Sequence, residues 1–462
     1  MKDTINFRPY QLRIIQAQDE FMNDPDRLRG TILAATGAGK TECFNDLIFK
    51  IFSAITNGAK RILIAHPRIA LSQNQQKRLA KKFKGMGVEF TSFHSGHQKY
   101  HTLPGKKNIS VINRDSLQEV LDNASSCHIT FSSYKSLHKI ADMDFDLIIC
   151  DEAHYLVQSD LKENLHLFKS KVLFYTGTPV EVAAQEESMD NVDLFGDIIA
   201  NVPPKELIPF GYIVPPRLRT VNVKTKKQGN TPDYAKTIAE AFKDQLSFAH
   251  KRFVHKMLVA MPRTTEFDDI MQELASIREI NNRFDIDVYY ITADRAVKNG
   301  TVLTDRETAL EDFDNNTNPC IIIHCDTLAE GIDVDGIGGV LIMRGLGMSK
   351  AIQTIGRGCR AAKQDIKKNG EIKKHKVKTE CIVTLARVDG DWLGETTIAE
   401  WAEMFRSAGY GEIWDFYTPM QANRGQDSEH PEYEDPLYDE IEEIKFNDGV
   451  DKLWNELFGS KV

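Results

Sequence analysis

Ten short apolar runs of four to six residues recur along this 462-residue chain in two series. The first comprises Thr31–Ala34, Arg61–Ala65, Ile129–Ser132, Leu147–Cys150 and Val172–Tyr175. The second comprises Lys256–Ala260, Asp287–Ile291, Cys320–His324, Val340–Met343 and Glu380–Leu385. Runs rich in Ile, Leu and Val without polar alternation suit strands buried on both faces. Helical stretches separate them, and that alternation implies parallel α/β sheets. Two series imply two sheets. Between them, Pro203, Pro204, Pro209, Pro215 and Pro216 mark a break, because proline disrupts regular elements. The expected organisation is therefore an α/β domain over 1–205, a linker over 206–216, a second α/β domain over 217–390 and a small, mainly helical extension over 391–462. Trp392, Trp401, Trp414 and Trp454 all fall in that extension, so its helices are expected to pack onto the second domain. Residues 427–443 hold nine acidic and no basic side chains, which suits a solvated segment.

Composition narrows the class. No run of 18 apolar residues is present, and the start MKDTINFRPYQLRIIQ has no apolar core, so neither a membrane span nor a secretory signal is expected. A cytoplasmic location follows as the expectation. The seven Cys are scattered without a C-x-x-C pair, which points to free thiols rather than zinc. The net charge of -9 argues against binding polyanions over the whole surface but leaves room for a local basic channel.

Two motifs carry chemistry. Ala34-Ala35-Thr36-Gly37-Ala38-Gly39-Lys40-Thr41 follows an apolar strand and opens a helix expected over Glu42–Ile55, the context of a phosphate-binding loop. Gly37 and Gly39 let backbone N–H groups of Thr36, Ala38 and their neighbours turn toward phosphate oxygens. Lys40 supplies a charge to the β- and γ-phosphates, and the Thr41 hydroxyl is a Mg²⁺ ligand. Farther on, Leu147-Ile148-Ile149-Cys150-Asp151-Glu152-Ala153-His154 delivers two carboxylates at the carboxyl edge of a strand, where open α/β sheets bind ligands. Asp151 suits the metal, and Glu152 suits orienting and deprotonating an attacking water.

Together these motifs resemble the superfamily 2 helicases and translocases, with Asp151–His154 as a DEAH box; the resemblance spans roughly residues 5–390. It implies two tandem RecA-like domains and the use of ATP and Mg²⁺. Phe7-Arg8-Pro9-Tyr10-Gln11 resembles the adenine-sensing motif, which implies that Gln11 reads the base edge with Arg8 nearby. His66-Pro67-Arg68 and Ser132-Ser133-Tyr134 resemble backbone-contacting motifs, placing Pro67, Arg68, Ser133 and Tyr134 toward nucleic acid. Thr176-Gly177-Thr178-Pro179 resembles the motif that couples the ATP site to domain movement through Thr176 and Thr178. In the second domain, Arg263 falls in the expected fourth motif. Thr327-Leu328-Ala329-Glu330-Gly331-Ile332-Asp333 resembles the fifth, implying a nucleic-acid contact at Thr327 and nucleotide contacts at Gly331 and Asp333. Gln353-Thr354-Ile355-Gly356-Arg357-Gly358-Cys359-Arg360 matches the sixth, with catalytic Gln353, Arg357 and Arg360. The two arginines are three apart, so one helix face is expected to carry both as arginine fingers.

The resemblance leans toward DNA. The box continues as Tyr155-Leu156, the third motif is Thr-Gly-Thr-Pro, and residues 206–216 resemble the interdomain passage of DNA translocases, restriction-enzyme motor subunits and phage branch-migration helicases. Within that group the favoured expectation is a phage-type helicase remodelling forked or branched duplexes in replication, recombination or repair. An RNA helicase, a restriction-enzyme motor and an ATP-gated clamp or annealer stay open. A two-domain motor can work as a monomer, and oligomeric state is left open. Lys363–Lys378 holds seven Lys and one His against two acids, and reads either as a basic loop gripping a second duplex arm or as a solvated hairpin.

Overall fold

The computed structural model describes residues 7–392, apart from 55–59, 95–112, 124–126, 158, 180–187, 226–231, 250–255, 281–285, 293–294, 326–333, 335, 347, 369–370, 379 and 389–390, together with 408–410. Two sheets organise it. The first contains β1 (Arg29–Ala34), β2 (Arg61–His66), β3 (Glu89–Phe93), β4 (His128–Ser133), β5 (Leu147–Asp151), β6 (Lys171–Thr176) and β7 (Asp197–Val202). Their order is β3-β4-β2-β5-β6-β1-β7, and every pairing is parallel. Parallel pairing puts all the carboxyl ends on one edge. In register, Leu33 lies opposite Thr176 and Asp151 opposite Tyr175, so the segments after β1, β5 and β6 emerge side by side.

Helix α1 (Pro9–Asn23) precedes this sheet. Proline at its first position costs no helical hydrogen bond. The Arg8 N–H donates to Gln11 Oε1 (2.9 Å), satisfying a terminal donor. Tyr10, Ile14, Ile15, Gln18 and Phe21 form its buried face. At its far end, Lys171 Nζ donates to the carbonyls of Phe21 (3.0 Å), Asp24 and Arg27 (2.8 Å), fastening the helix exit to β6.

The second sheet is mixed. It contains β8 (Pro216–Asn222), β11 (Lys256–Ala260), β12 (Asp287–Ile291), β13 (Ala296–Lys298), β14 (Thr301–Val302), β15 (Cys320–His324), β16 (Ile337–Ile342), β19 (Cys381–Val388) and β20 (Asp391–Trp392). A small ribbon, β9 (Lys224–Thr225) with β10 (Pro232–Asp233), stands beside it. The order is β14-β13-β12-β15-β11-β16-β19-β20, with β8 also on β19. The core pairings are parallel, as expected, but β13, β14 and β20 add antiparallel edges. The physical reason is connection length: four residues between β12 and β13 can turn a hairpin but cannot cross over.

The stretch Lys363–Lys378 forms an antiparallel ribbon, β17 (Lys363–Lys368) with β18 (Glu371–Val377). Its closing residue, Lys378, is only 2% exposed, so this lysine is a buried anchor and not part of a solvated or DNA-gripping loop. Of the expected helical extension, the described residues contain β20 and 408–410, where Tyr410 is buried and the Lys205 N–H donates to the Gly409 carbonyl (2.9 Å). Trp401, Trp414, Trp454 and the acidic segment 427–443 lie outside the described residues. Five of the seven cysteines are buried, and all seven are free. No helix among the described residues is long and apolar enough to cross a membrane.

One glycine sets how β7 joins β1. Gly196 has φ 68° and ψ -179°, a conformation essentially reserved for glycine. A Cβ there would lie 2.3 Å from the Arg29 carbonyl oxygen. Gly196→Ala is expected to destabilise the protein by about 2–3 kcal/mol through backbone strain and that clash. Urea unfolding followed by circular dichroism should show the midpoint fall; an unchanged midpoint would contradict the assignment.

Candidate nucleotide site at the domain interface

The loop after β1 is built around two left-handed glycines, Gly37 (φ 88°) and Gly39 (φ 80°). Gly39 caps helix α2, which runs over Lys40–Ser53, two residues earlier at each end than expected. Lys40 is 8% exposed and its Nζ donates to the Ala34 carbonyl (3.0 Å), which holds the ammonium inside the loop. Gly177, on the segment after β6, faces it from above. A Cβ there would meet the Ala34 oxygen at 3.0 Å, Lys40 Nζ at 3.2 Å and Thr36 N at 3.2 Å. Only glycine leaves that space beside the ammonium and the turned N–H groups free for an anionic group.

Asp151 ends β5 beside this loop. Burial, followed by the neighbouring Glu152, pushes its carboxyl up to about 7, while Lys40 pulls it down. Its Oδ1 accepts the Glu152 N–H (3.1 Å), and its Oδ2 lies 3.9 Å from His66 Nε2. Glu152 has φ 54°, rare for a residue with a side chain. The two carboxylates, adjacent in sequence, offer oxygen donors of the kind that a hard divalent cation such as Mg²⁺ takes.

His154 connects the two domains. Its Nδ1 lies 2.9 Å from Thr176 Oγ1 and 3.3 Å from Thr178 Oγ1. Its Nε2 lies 3.0 Å from Gln353 Nε2 of the second domain. The same Gln353 amide donates to Glu152 Oε2 (3.5 Å), a long bond that sets its NH₂ toward the acidic side. With that orientation His154 Nε2 accepts and Nδ1–H donates to Thr176, whose oxygen also accepts the Thr178 N–H (3.1 Å). Burial lowers the His154 pKa to about 4, so the ring is neutral at pH 7, as this tautomer requires.

The second domain closes over the loop through the helix Met348–Gly358. A Cβ on Gly356 would sit 2.8 Å from Thr36 Cβ, so helix and loop are in direct contact. Arg357 lies in the last turn and is 9% exposed. Arg360 does not share that helix face, contrary to expectation. The helix ends at Gly358, and Arg360 instead bridges to Ile213 of the interdomain passage. It nonetheless lies against the phosphate loop, because a Cβ on Gly37 would lie 3.6 Å from Arg360 Cγ.

On the base side, Gln11 is committed. Its Nε2 donates to the Ala38 carbonyl (3.1 Å) while its Oε1 accepts the Arg8 N–H, so it props the phosphate loop. The exposed Arg8 guanidinium lies 4.4 Å over the Tyr212 ring and donates to Tyr10 OH (3.1 Å). Tyr212 was not singled out by its sequence; its signal was its place in the passage 206–216.

The expected nucleic-acid residues divide. Arg68 and Arg263 are exposed after β2 and β11, and Pro67 is half-buried. Tyr134 is a correction: it is 1% exposed and its OH donates to the Asp151 carbonyl (2.5 Å), supporting the acidic pair from within the core. Ser133 is also buried, with Oγ donating to Ser136 Oγ (3.2 Å). Thr327, Gly331 and Asp333 lie outside the described residues.

Comparison with known families accords with this geometry. Residues 4–181 match the family described as type III restriction enzyme, res subunit. Residues 238–362 match the helicase conserved C-terminal domain. The chain thus carries one segment similar to each family, on a fold of two tandem RecA-like domains. Solved structures share the fold at low identity. The ATP-dependent Type ISP restriction-modification enzyme LlaBIII bound to DNA has a TM-score of 0.60 at 15% identity, over 88% of this chain and 30% of that one. A fragment described as an HsdR subunit of a type I restriction enzyme from Vibrio vulnificus YJ016 has a TM-score of 0.53 at 20% identity, over 88% of this chain and 68% of that one. A variant of S. cerevisiae Dbp5 bound to RNA and ADP BeF3 has a TM-score of 0.51 at 11% identity, over 90% of this chain and 95% of that one. The chain thus spans less than a third of the LlaBIII chain. No curated protein matches it.

The contact between Gly356 and Thr36 yields a prediction. Gly356→Ala should push the helix off the loop and lower ATP turnover by about 10–100-fold, since misplacement near 1 Å is that costly. Nucleotide binding to the first domain, read by fluorescent-ADP titration, should persist. Unchanged turnover would show that the contact is not needed.

Proposed function

We propose that the chain is an ATP-driven motor on DNA that unwinds or remodels forked or branched duplexes. The observation that carries the ATP-driven part is Gln353 of the second domain meeting His154 and Glu152 of the first, because a site assembled from both domains couples nucleotide state to their separation. In this reading the Gly37–Thr41 loop holds the phosphates, Thr41 and Asp151 hold Mg²⁺, and Glu152 takes the proton of the attacking water. Mg²⁺ would neutralise charge developing on the transferred phosphoryl. Arg357 and Arg360 meet that charge from the second domain, a contribution of about 10³–10⁵ in rate for such a finger. Arg8 with Tyr212 offers a stacking platform for the base, and Thr176 with Thr178 relays nucleotide state through His154.

For the substrate, Arg68 and Arg263 are exposed on the two domains and suit phosphate contacts. Gly331, Asp333 and Thr327 complete the proposed set. The res-subunit family match and the DNA-bound LlaBIII structure support DNA over RNA. They also favour a second reading, in which this chain is the motor part of a restriction enzyme whose other activities reside elsewhere.

The test is ATP hydrolysis alone and with single-stranded DNA, duplex DNA, a four-way junction and single-stranded RNA, beside Glu152→Gln and Arg357→Ala. Stimulation greatest with branched DNA, and lost at least 100-fold in both variants, is expected. Stimulation by linear duplex alone would favour the restriction-type motor. Stimulation by RNA alone would overturn the DNA assignment, and a response to no nucleic acid would overturn the motor.

A further inference from the structure

A buried lysine lies at the end of the segment that carries the two arginines. Lys378 Nζ donates to the carbonyls of Gly358, Ile337 (2.5 Å) and Arg360 (3.1 Å). Between Gly358 and Arg360, the Cys359 carbonyl accepts the Val214 N–H (2.8 Å). Three successive carbonyls, of Gly358, Cys359 and Arg360, are therefore each held by a donor, two of them by one ammonium. The last carbonyls of a helix have no partner within it, and a cation there also meets the negative end of the helix dipole.

The bond to Ile337 reaches the first residue of β16, so the helix end is fastened to the sheet. Contact beneath it is tight: a Cβ on Gly358 would lie 2.4 Å from Cys381 Sγ and 2.8 Å from Val340 Cγ2. Arg357 and Arg360 flank this clamped stretch. An ordinary helix terminus frays, and a frayed terminus would spread both guanidiniums over several positions.

We propose that Lys378 is a positioning residue for ATP hydrolysis, which fixes the backbone between Arg357 and Arg360 so that both guanidiniums are placed for the transferred phosphoryl group. This rests on the reading of those arginines given above. In this proposal Lys378 acts through the segment that it holds.

The test measures affinity for fluorescent mant-ADP with Mg²⁺, with and without aluminium fluoride, in the presence and absence of single-stranded DNA. The ratio of the two affinities reports complementarity to the transition state and does not depend on the fraction of folded protein. Lys378→Met keeps the stem but removes the donors; it should lower the ratio by about 10–100-fold while leaving affinity for mant-ADP alone within about twofold. Lys378→Arg, which keeps charge and donors, should retain most of the ratio. A merely space-filling lysine would give the reverse order. If Lys378→Met does not fold, Lys378→Gln takes its place and the same ratio decides. Arg357→Ala and Arg360→Ala run alongside. A fall in both with none in the Lys378 variants would overturn the positioning role alone. No fall in either arginine variant would overturn the arginine reading, and the proposal with it.

Discussion

The hydrogen bond between Gln353 and His154 is where two separately folded sheets share one site. Each sheet has its own buried strands, and one apolar cluster runs from the first through Ile213 and Val214 to the second. What the contact adds is placement. Through His154 it reaches the Thr176 and Thr178 hydroxyls, and through Glu152 it reaches the acidic pair. Such a chain works only with a neutral, singly protonated ring, which burial provides at physiological pH. A charged ring would leave the Gln353 NH₂ facing a donor.

Glycine does complementary work around the phosphate loop. Gly37 and Gly39 supply left-handed backbone, while Gly177 and Gly356 supply room. The first pair lets N–H groups turn inward. The second lets the segment after β6 and the helix carrying Arg357 approach the loop closely. A methyl group at either of the latter positions would meet Thr36 or Lys40 before any nucleotide could.

The alternation of apolar runs made both sheets legible, because strands buried on two faces can tolerate little else. The phosphate loop and Asp151–His154 were legible for a similar reason: their chemistry admits few residue types at fixed spacing. Edge strands were not. β13, β14 and β20 are too short to show a pattern, and their direction follows from loop length. The face of Tyr134 was also hidden, since a tyrosine near a site reads alike whether it points into a groove or the core. Arg360 misled because helical spacing was assumed past Gly358, where the helix stops. Lys378 misled most: among six other lysines it looked solvated, and only the three carbonyls around it show otherwise.

The β17–β18 ribbon leaves the domain after Ala362 and returns at Lys378, whose N–H donates to the Ala362 carbonyl at 3.0 Å. The two ends are thus sealed to each other before the ribbon begins. A segment inserted this way is thermodynamically insulated: its length and sequence can drift while the sheet behind it keeps its register. Within one domain, this places a region free to diversify two residues from one of the least adjustable stretches of the chain.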